Sequence, residues 1–170
     1  MTSAEAHADL SNSRQALFAP LAALSEEQFR HVPPDGGWPI AAHLAHFLRV
    51  ERAVCQGIAE ARSGADAYMA SAGKDNDGDD TLAQHLAVPQ IIHGLQASRR
   101  ALEALLKDEG VTHRELRHER MGRLSVGDLL RSHADHEREH AEQIVALVEQ
   151  AHTARRLIIP LAESTPRLTS

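Results

Sequence analysis

The chain has 170 residues, of which 42% are hydrophobic and 25% charged, with a formal net charge of −6. That length fits one domain able to bury a single sizeable core, and the composition is globular rather than disordered. The acidic balance and the lack of a basic run exclude the electrostatic footprint of a nucleic-acid binder, and no stretch approaches the roughly 18 apolar residues of a membrane helix. The single cysteine, Cys55, excludes an internal disulfide and a cysteine-rich zinc site, so any metal must be held by His and carboxylate. The opening residues carry no basic stretch ahead of an apolar run, and a cytoplasmic location is expected.

Abundant Ala and Leu with few β-branched runs predict an all-α class. The first helix is expected from about Ser3 to Leu24, with Leu10, Leu17, Leu21 and Leu24 on one face. Ser25-Glu26-Glu27-Gln28 reads as a capping box opening a further short turn, and the Pro- and Gly-rich segment from His31 to Gly37 must break any helix. A second helix starts near Trp38-Pro39 and runs to about Arg62 through Ile40, Leu44, Phe47, Val50, Val54 and Ile58.

Ser63 to Asp80 reads as a loop, and Thr81-Leu82-Ala83-Gln84 as a capping box opening a third helix. That helix is expected to reach about Asp108, with a kink at Pro89, before Gly110 closes it. Val111 to Leu124 is charged and is expected to be irregular; Ser125-Val126-Gly127-Asp128 then caps a fourth helix to about His152. Residues 1–156 form one expected domain and 157–170 a tail.

Four such helices have the format of a four-helix bundle. The connection between helices two and three can span on the order of 60 Å when extended, enough to return along a whole helix. Helices two and three can then run parallel, in an up-down-down-up order.

Twelve His stand against one Trp, one Tyr and three Phe. Three of them, His133, His136 and His140, share one face of the fourth helix. At about 100° per residue, His136 and His140 lie about 40° apart, with His133 about 60° to the other side of His136. The stripe continues through Val126, Leu129, Gln143 and Leu147, which places the imidazoles on the seam expected to pack inward. An i, i+4 His pair is the spacing by which a helix offers two nitrogens to one divalent metal. In helix two, His46 is a candidate third ligand. His43 reads instead as a core-edge histidine bonded to a backbone carbonyl. The rival reading of the fourth helix is a solvated, His-rich polar face.

Trp38 opening a helix, His46 eight residues later, the Ser125-Val126-Gly127-Asp128-Leu129-Leu130 helix start and the later His136-Glu137-Arg138-Glu139-His140 together resemble the DinB/YfiT-like family. The resemblance implies a metal-binding four-helix bundle of up-down-down-up topology, three His ligands matched here to His46, His136 and His140, and frequent homodimers. It also implies a thiol S-transferase or related isomerase that uses bacillithiol, mycothiol or glutathione.

Three protein ligands leave a position open, the arrangement of a catalytic metal. Zn²⁺ is the first expectation, and imidazoles also suit Ni²⁺, Fe²⁺, Cu²⁺ or Mn²⁺. A small-molecule substrate follows, with no nucleic acid or membrane partner. His133 is expected either to support the ligands from behind or to transfer a proton. Cys55, about 180° from His46 on its helix, reads as a small core residue. Asp135 and Glu139 read as surface carboxylates, and Trp38 as an anchor at the bundle end. The acidic run from Lys74 to Asp80 lacks the Glu that a calcium loop requires, position 84 being Gln84. The alternatives to an enzyme are a non-catalytic metal-binding stress-response module and a plain helical dimer without metal.

Overall fold

In the computed structural model the described residues are 1–64, 66–71 and 82–158, with only the backbone of 152–158. Helix α1 spans Ser3–Phe18 and starts at a capping box in which Thr2 and Glu5 satisfy one another's backbone amides. It stops short of the expected Leu24. Pro20 cannot donate to the helical ladder, and the chain tightens into a 3-10 turn over Ala19–Leu21. Ser25 and Gln28 form the expected capping box of the short α2, Glu26–Arg30.

Helix α3, Ile40–Ser63, begins directly after Pro39 and ends at Gly64, whose φ of 82° is the left-handed conformation that a side chain resists. The third expected helix is divided. A helical turn over 82–85 precedes a break, and α4 then runs over Val88–Leu105. Pro89 does not kink this helix. It occupies the first turn, where its missing N–H has no ladder bond to lose.

Helix α5 starts at Val126, where Ser125 Oγ accepts from the Asp128 amide at 3.1 Å, and continues to Ile158, past the expected end near His152. No helix among the described residues is long and apolar enough to cross a membrane. Residues 65, 72–81 and 159–170 lie outside the described residues, and with them the whole acidic run from Lys74 to Asp80 and most of the expected tail.

The fold is mostly helical, with one departure from the all-α expectation. Val111 to Leu124 is not irregular: strands β2 (Glu115–His118) and β3 (Gly122–Ser125) pair antiparallel, and β1 (Tyr68–Met69), from the expected loop, adds in parallel to β2. His118 Nδ1 accepts the amides of Arg120 and Met121, closing the turn between β2 and β3.

Helix α1 packs along α5, α3 along α4, and α3 meets α5 across the core. The apolar interior falls into two clusters. One holds Leu17, Ile40, Leu44, Phe47, Leu48, Ile91, Leu95, Ala141 and Ile144; the other holds Leu10, Val54, Ile58, Leu102, Leu130 and Ala134. Each long helix passes from one cluster to the other through a buried polar step: Ser13 and Arg14 on α1, Glu51 on α3, Ser98 and Arg99 on α4, Glu137 on α5.

These side chains form one closed network. Arg14 Nε meets Glu137 Oε1 at 2.5 Å and its Nη2 meets Glu51 Oε1 at 3.0 Å. Arg99 Nε meets Glu51 Oε1 at 2.7 Å and its Nη2 meets Glu137 Oε2 at 2.9 Å. Ser13 donates to Glu137, Ser98 donates to Glu51, and the two guanidiniums also donate to the carbonyls of Leu95 and Leu10. Burial alone would raise the Glu51 pKa, but His133, Arg14, Arg99 and Ser98 outweigh it and hold the carboxyl at about 2.

Removing one member of such a network leaves an uncompensated buried charge. Arg99→Leu is therefore expected to lower the unfolding free energy by about 3–5 kcal/mol. Glu137→Leu added to it is expected to recover part of the loss, as read by urea denaturation; simple additivity of the two losses would contradict the network.

Candidate metal centre

On α5 the most buried stripe is Val126, Leu130, Ala134, Glu137, Ala141, Ile144 and Val148. The His stripe flanks it, offset by about one residue or 100°. The seam expected from the sequence is thus displaced: His133 is buried, His136 and His140 are half-buried, and Gln143 is exposed. Glu137 points into the charged network, so its neighbour His136 is turned to the side, toward α3. There α3 presents His43 and His46, both buried, from its first two turns.

The three expected ligands come together. One ligating atom from each of His46, His136 and His140 lies within 4.8 Å of the others. His136 Nε2 and His140 Nε2 are 3.0 Å apart. Nitrogens this close could both reach one ion at the ~2.0–2.1 Å of a zinc–imidazole bond.

His136 has its pKa pushed down to about 4, first by burial and then by His46 and His133. His140 is pushed to about 3 by burial and by His136, His43 and His46. Both rings are neutral near pH 7, so a metal there need displace no proton. The donor set fits a divalent ion that accepts imidazole.

His43 is buried and makes a backbone hydrogen bond with Trp38, in line with the expectation from the sequence, and it also joins the imidazole cluster. Its Nδ1 stands 2.7 Å from His140 Nδ1, and burial and then His46 lower its pKa to about 4 against a backbone contact from Trp38. Trp38, expected as an anchor, walls the cluster: its ring centroid lies 5.5 Å from His43, 5.3 Å from His46 and 6.3 Å from His140.

A cavity of about 860 Å³ opens beside the triad. Val50, Val54, Met69 and Leu129 give it an apolar floor, and Arg120 and Arg131 border it. The small sheet thus supplies part of the wall, in a stretch expected to be loop. His133 lines the same cavity with 4% exposure, its Nε2 3.7 Å from Glu51 Oε1, too long for a hydrogen bond but close enough to act on the charge. Neither of its ring nitrogens has a hydrogen-bond partner among the described residues.

Asp135 and Glu139 are exposed as expected, Asp135 pairing with Arg138 at 2.5 Å. The Cys55 thiol donates to the Ser98 carbonyl, and burial and then the Glu51 charge push its pKa up to about 12, which makes it inert as a nucleophile. The residues that sequence reasoning missed are Arg14, Glu51, Arg99 and Glu137. Their signal was present as a charged residue on the apolar stripe of every long helix, with the signs balanced.

The model of the DinB superfamily matches residues 9–144. Among solved structures, the crystal structure of the mycothiol-dependent maleylpyruvate isomerase is similar with a TM-score of 0.69 and 13% identity, covering 83% of this chain and 60% of that one. The likeness shows a shared fold, and the chain spans 60% of that protein's length. No curated protein matches the sequence.

The metal-free protein is expected to lose stability in acid through this cluster. His43, His136 and His140 have folded pKa values of about 4, 4 and 3 against 6.5 when unfolded. Between those limits the unfolded chain binds more protons, so stability falls as pH drops from 6.5 through 4. Urea midpoints measured across pH 4–7 should show the fall, and H136F/H140F should flatten it; an unchanged slope in that variant would contradict the assignment.

Proposed function

Because the chain belongs to the DinB superfamily, with 9–144 matched, we propose that it is a divalent-metal-dependent enzyme that joins a low-molecular-weight thiol to a small electrophile or isomerises a substrate with its help. The observation that carries this reading is the convergence of His46, His136 and His140 at the wall of a cavity large enough for a small molecule. The Met69, Val50 and Val54 floor would hold an apolar body, with Trp38 also lining the cavity beside the triad.

Zn²⁺ is the first choice of ion, with Ni²⁺, Fe²⁺, Cu²⁺ or Mn²⁺ as alternatives. When bound, it supplies Lewis acidity, holding a thiol as its thiolate or lowering the pKa of a water. His133, buried at the cavity wall with its Nε2 3.7 Å from Glu51 Oε1, would take and return a proton at a ring nitrogen. The mycothiol dependence of the isomerase that shares this fold supports the thiol. We extend the proposal to a four-helix bundle in up-down-down-up order over 1–156, to a homodimer and to a cytoplasmic location.

Tag-free protein supplied with Zn²⁺ is expected to consume bacillithiol, mycothiol or glutathione against an electrophile panel, with turnover abolished by chelation and by His136→Ala. Stoichiometric metal without turnover with any thiol would favour a non-catalytic metal-binding module. Less than about a tenth of an equivalent of metal, far from what a three-imidazole site holds, would remove the metal reading altogether.

A further inference from the structure

We propose that His43 is a positioning residue of the metal centre: its Nδ1 accepts the Nδ1 proton of His140 and so holds His140 in the tautomer that leaves Nε2 free to ligate. The inference rests on the metal reading above and goes beyond its ligand set. His43 itself falls outside the group of converging donors, which contains only His46, His136 and His140 among the described residues.

A neutral imidazole carries one proton on one of two nitrogens, and the partner of the other nitrogen decides which. His140 has both nitrogens engaged: Nε2 faces His136 Nε2 at 3.0 Å, and Nδ1 faces His43 Nδ1 at 2.7 Å. If His43 donated in the short contact, the single proton of His140 would sit on Nε2, aimed at the place where an ion must bind. With His43 accepting, that proton sits on Nδ1, and the Nε2 lone pair joins those of His46 and His136.

His46 and His136 meet the His140 ring at 5.3 and 4.7 Å on the side of the triad, and the two other rings against it besides His43 carry no acceptor nitrogen or oxygen. Phe47 meets it edge to face at 5.0 Å and Trp38 stacks at 6.3 Å. Loss of His43 would remove the acceptor that stands 2.7 Å from His140 Nδ1. Partners of this kind behind metal-bound histidines typically govern metal affinity by about 10–100-fold.

The test compares wild type, His43→Phe and His43→Asn. Phe keeps a ring against Trp38 without an acceptor, and Asn restores an oxygen near the position of Nδ1. Zn²⁺ affinity, read by competition with a chromophoric chelator, is expected to fall about 10–100-fold in H43F and to recover most of that loss in H43N. Long-range ¹H–¹⁵N spectra of the zinc-loaded wild type are expected to place the His140 proton on Nδ1, a readout that needs no variant to fold. H43F binding zinc within about twofold of wild type, beneath the range such partners command, would overturn the proposal alone. So would a His140 that ligates through Nδ1. If wild type and H136A bind zinc equally weakly, the metal reading fails and this proposal fails with it.

Discussion

The constraint on which the rest of the structure depends is a layer of four formal charges closed inside the core. Arg14, Glu51, Arg99 and Glu137 come one from each long helix, and every charge meets two of the opposite sign. Such a network adds little stability over well-packed hydrocarbon, because desolvation offsets most of the attraction. Its force lies in what it forbids. A helix that slips by one turn or rotates by one residue takes its charge out of the layer and leaves the partner buried and uncompensated, at a cost comparable to a large part of the total stability of a domain.

That register positions the candidate metal centre. Glu137 must face Arg14 and Arg99, so His136, one residue before it, is turned toward α3, and His140 follows one turn later. Glu51 must face the same two arginines, which places His46, just over one turn earlier on α3, opposite the α5 pair. His133 joins the two features, buried with its Nε2 3.7 Å from Glu51 and lining the cavity. The charged layer is therefore the frame on which the imidazoles are hung, and the cavity opens where the small sheet and the helices stop packing against one another.

Much of this was legible in the residues. Helix starts at Thr2, Ser25, Pro39 and Ser125 carry local signals, caps and a proline, that act within a few residues and need no tertiary context. His46, His136 and His140 could be named because a helix repeats its faces predictably. What stayed hidden depends on partners far along the chain. Strand β2 carries one buried residue, Leu116, and its pairing with Tyr68–Met69 is fixed by contacts that no four-residue pattern encodes. The buried network was missed because a charge is ordinarily assigned to the surface, and only the coincidence of four balanced charges on four apolar stripes marks them as internal. The same omission displaced the expected seam of α5: the His stripe was set on the face that Glu137 and the apolar residues in line with it occupy.

The central claim is that one ion is held by three imidazoles brought together by this frame. Anomalous diffraction from crystals grown with Zn²⁺, collected on both sides of the zinc edge, tests it most directly. A single strong peak is predicted about 2.0–2.1 Å from a ring nitrogen of each of His46, His136 and His140, beside the cavity. Zinc bound only at surface carboxylates, with no peak among these three rings, would contradict it.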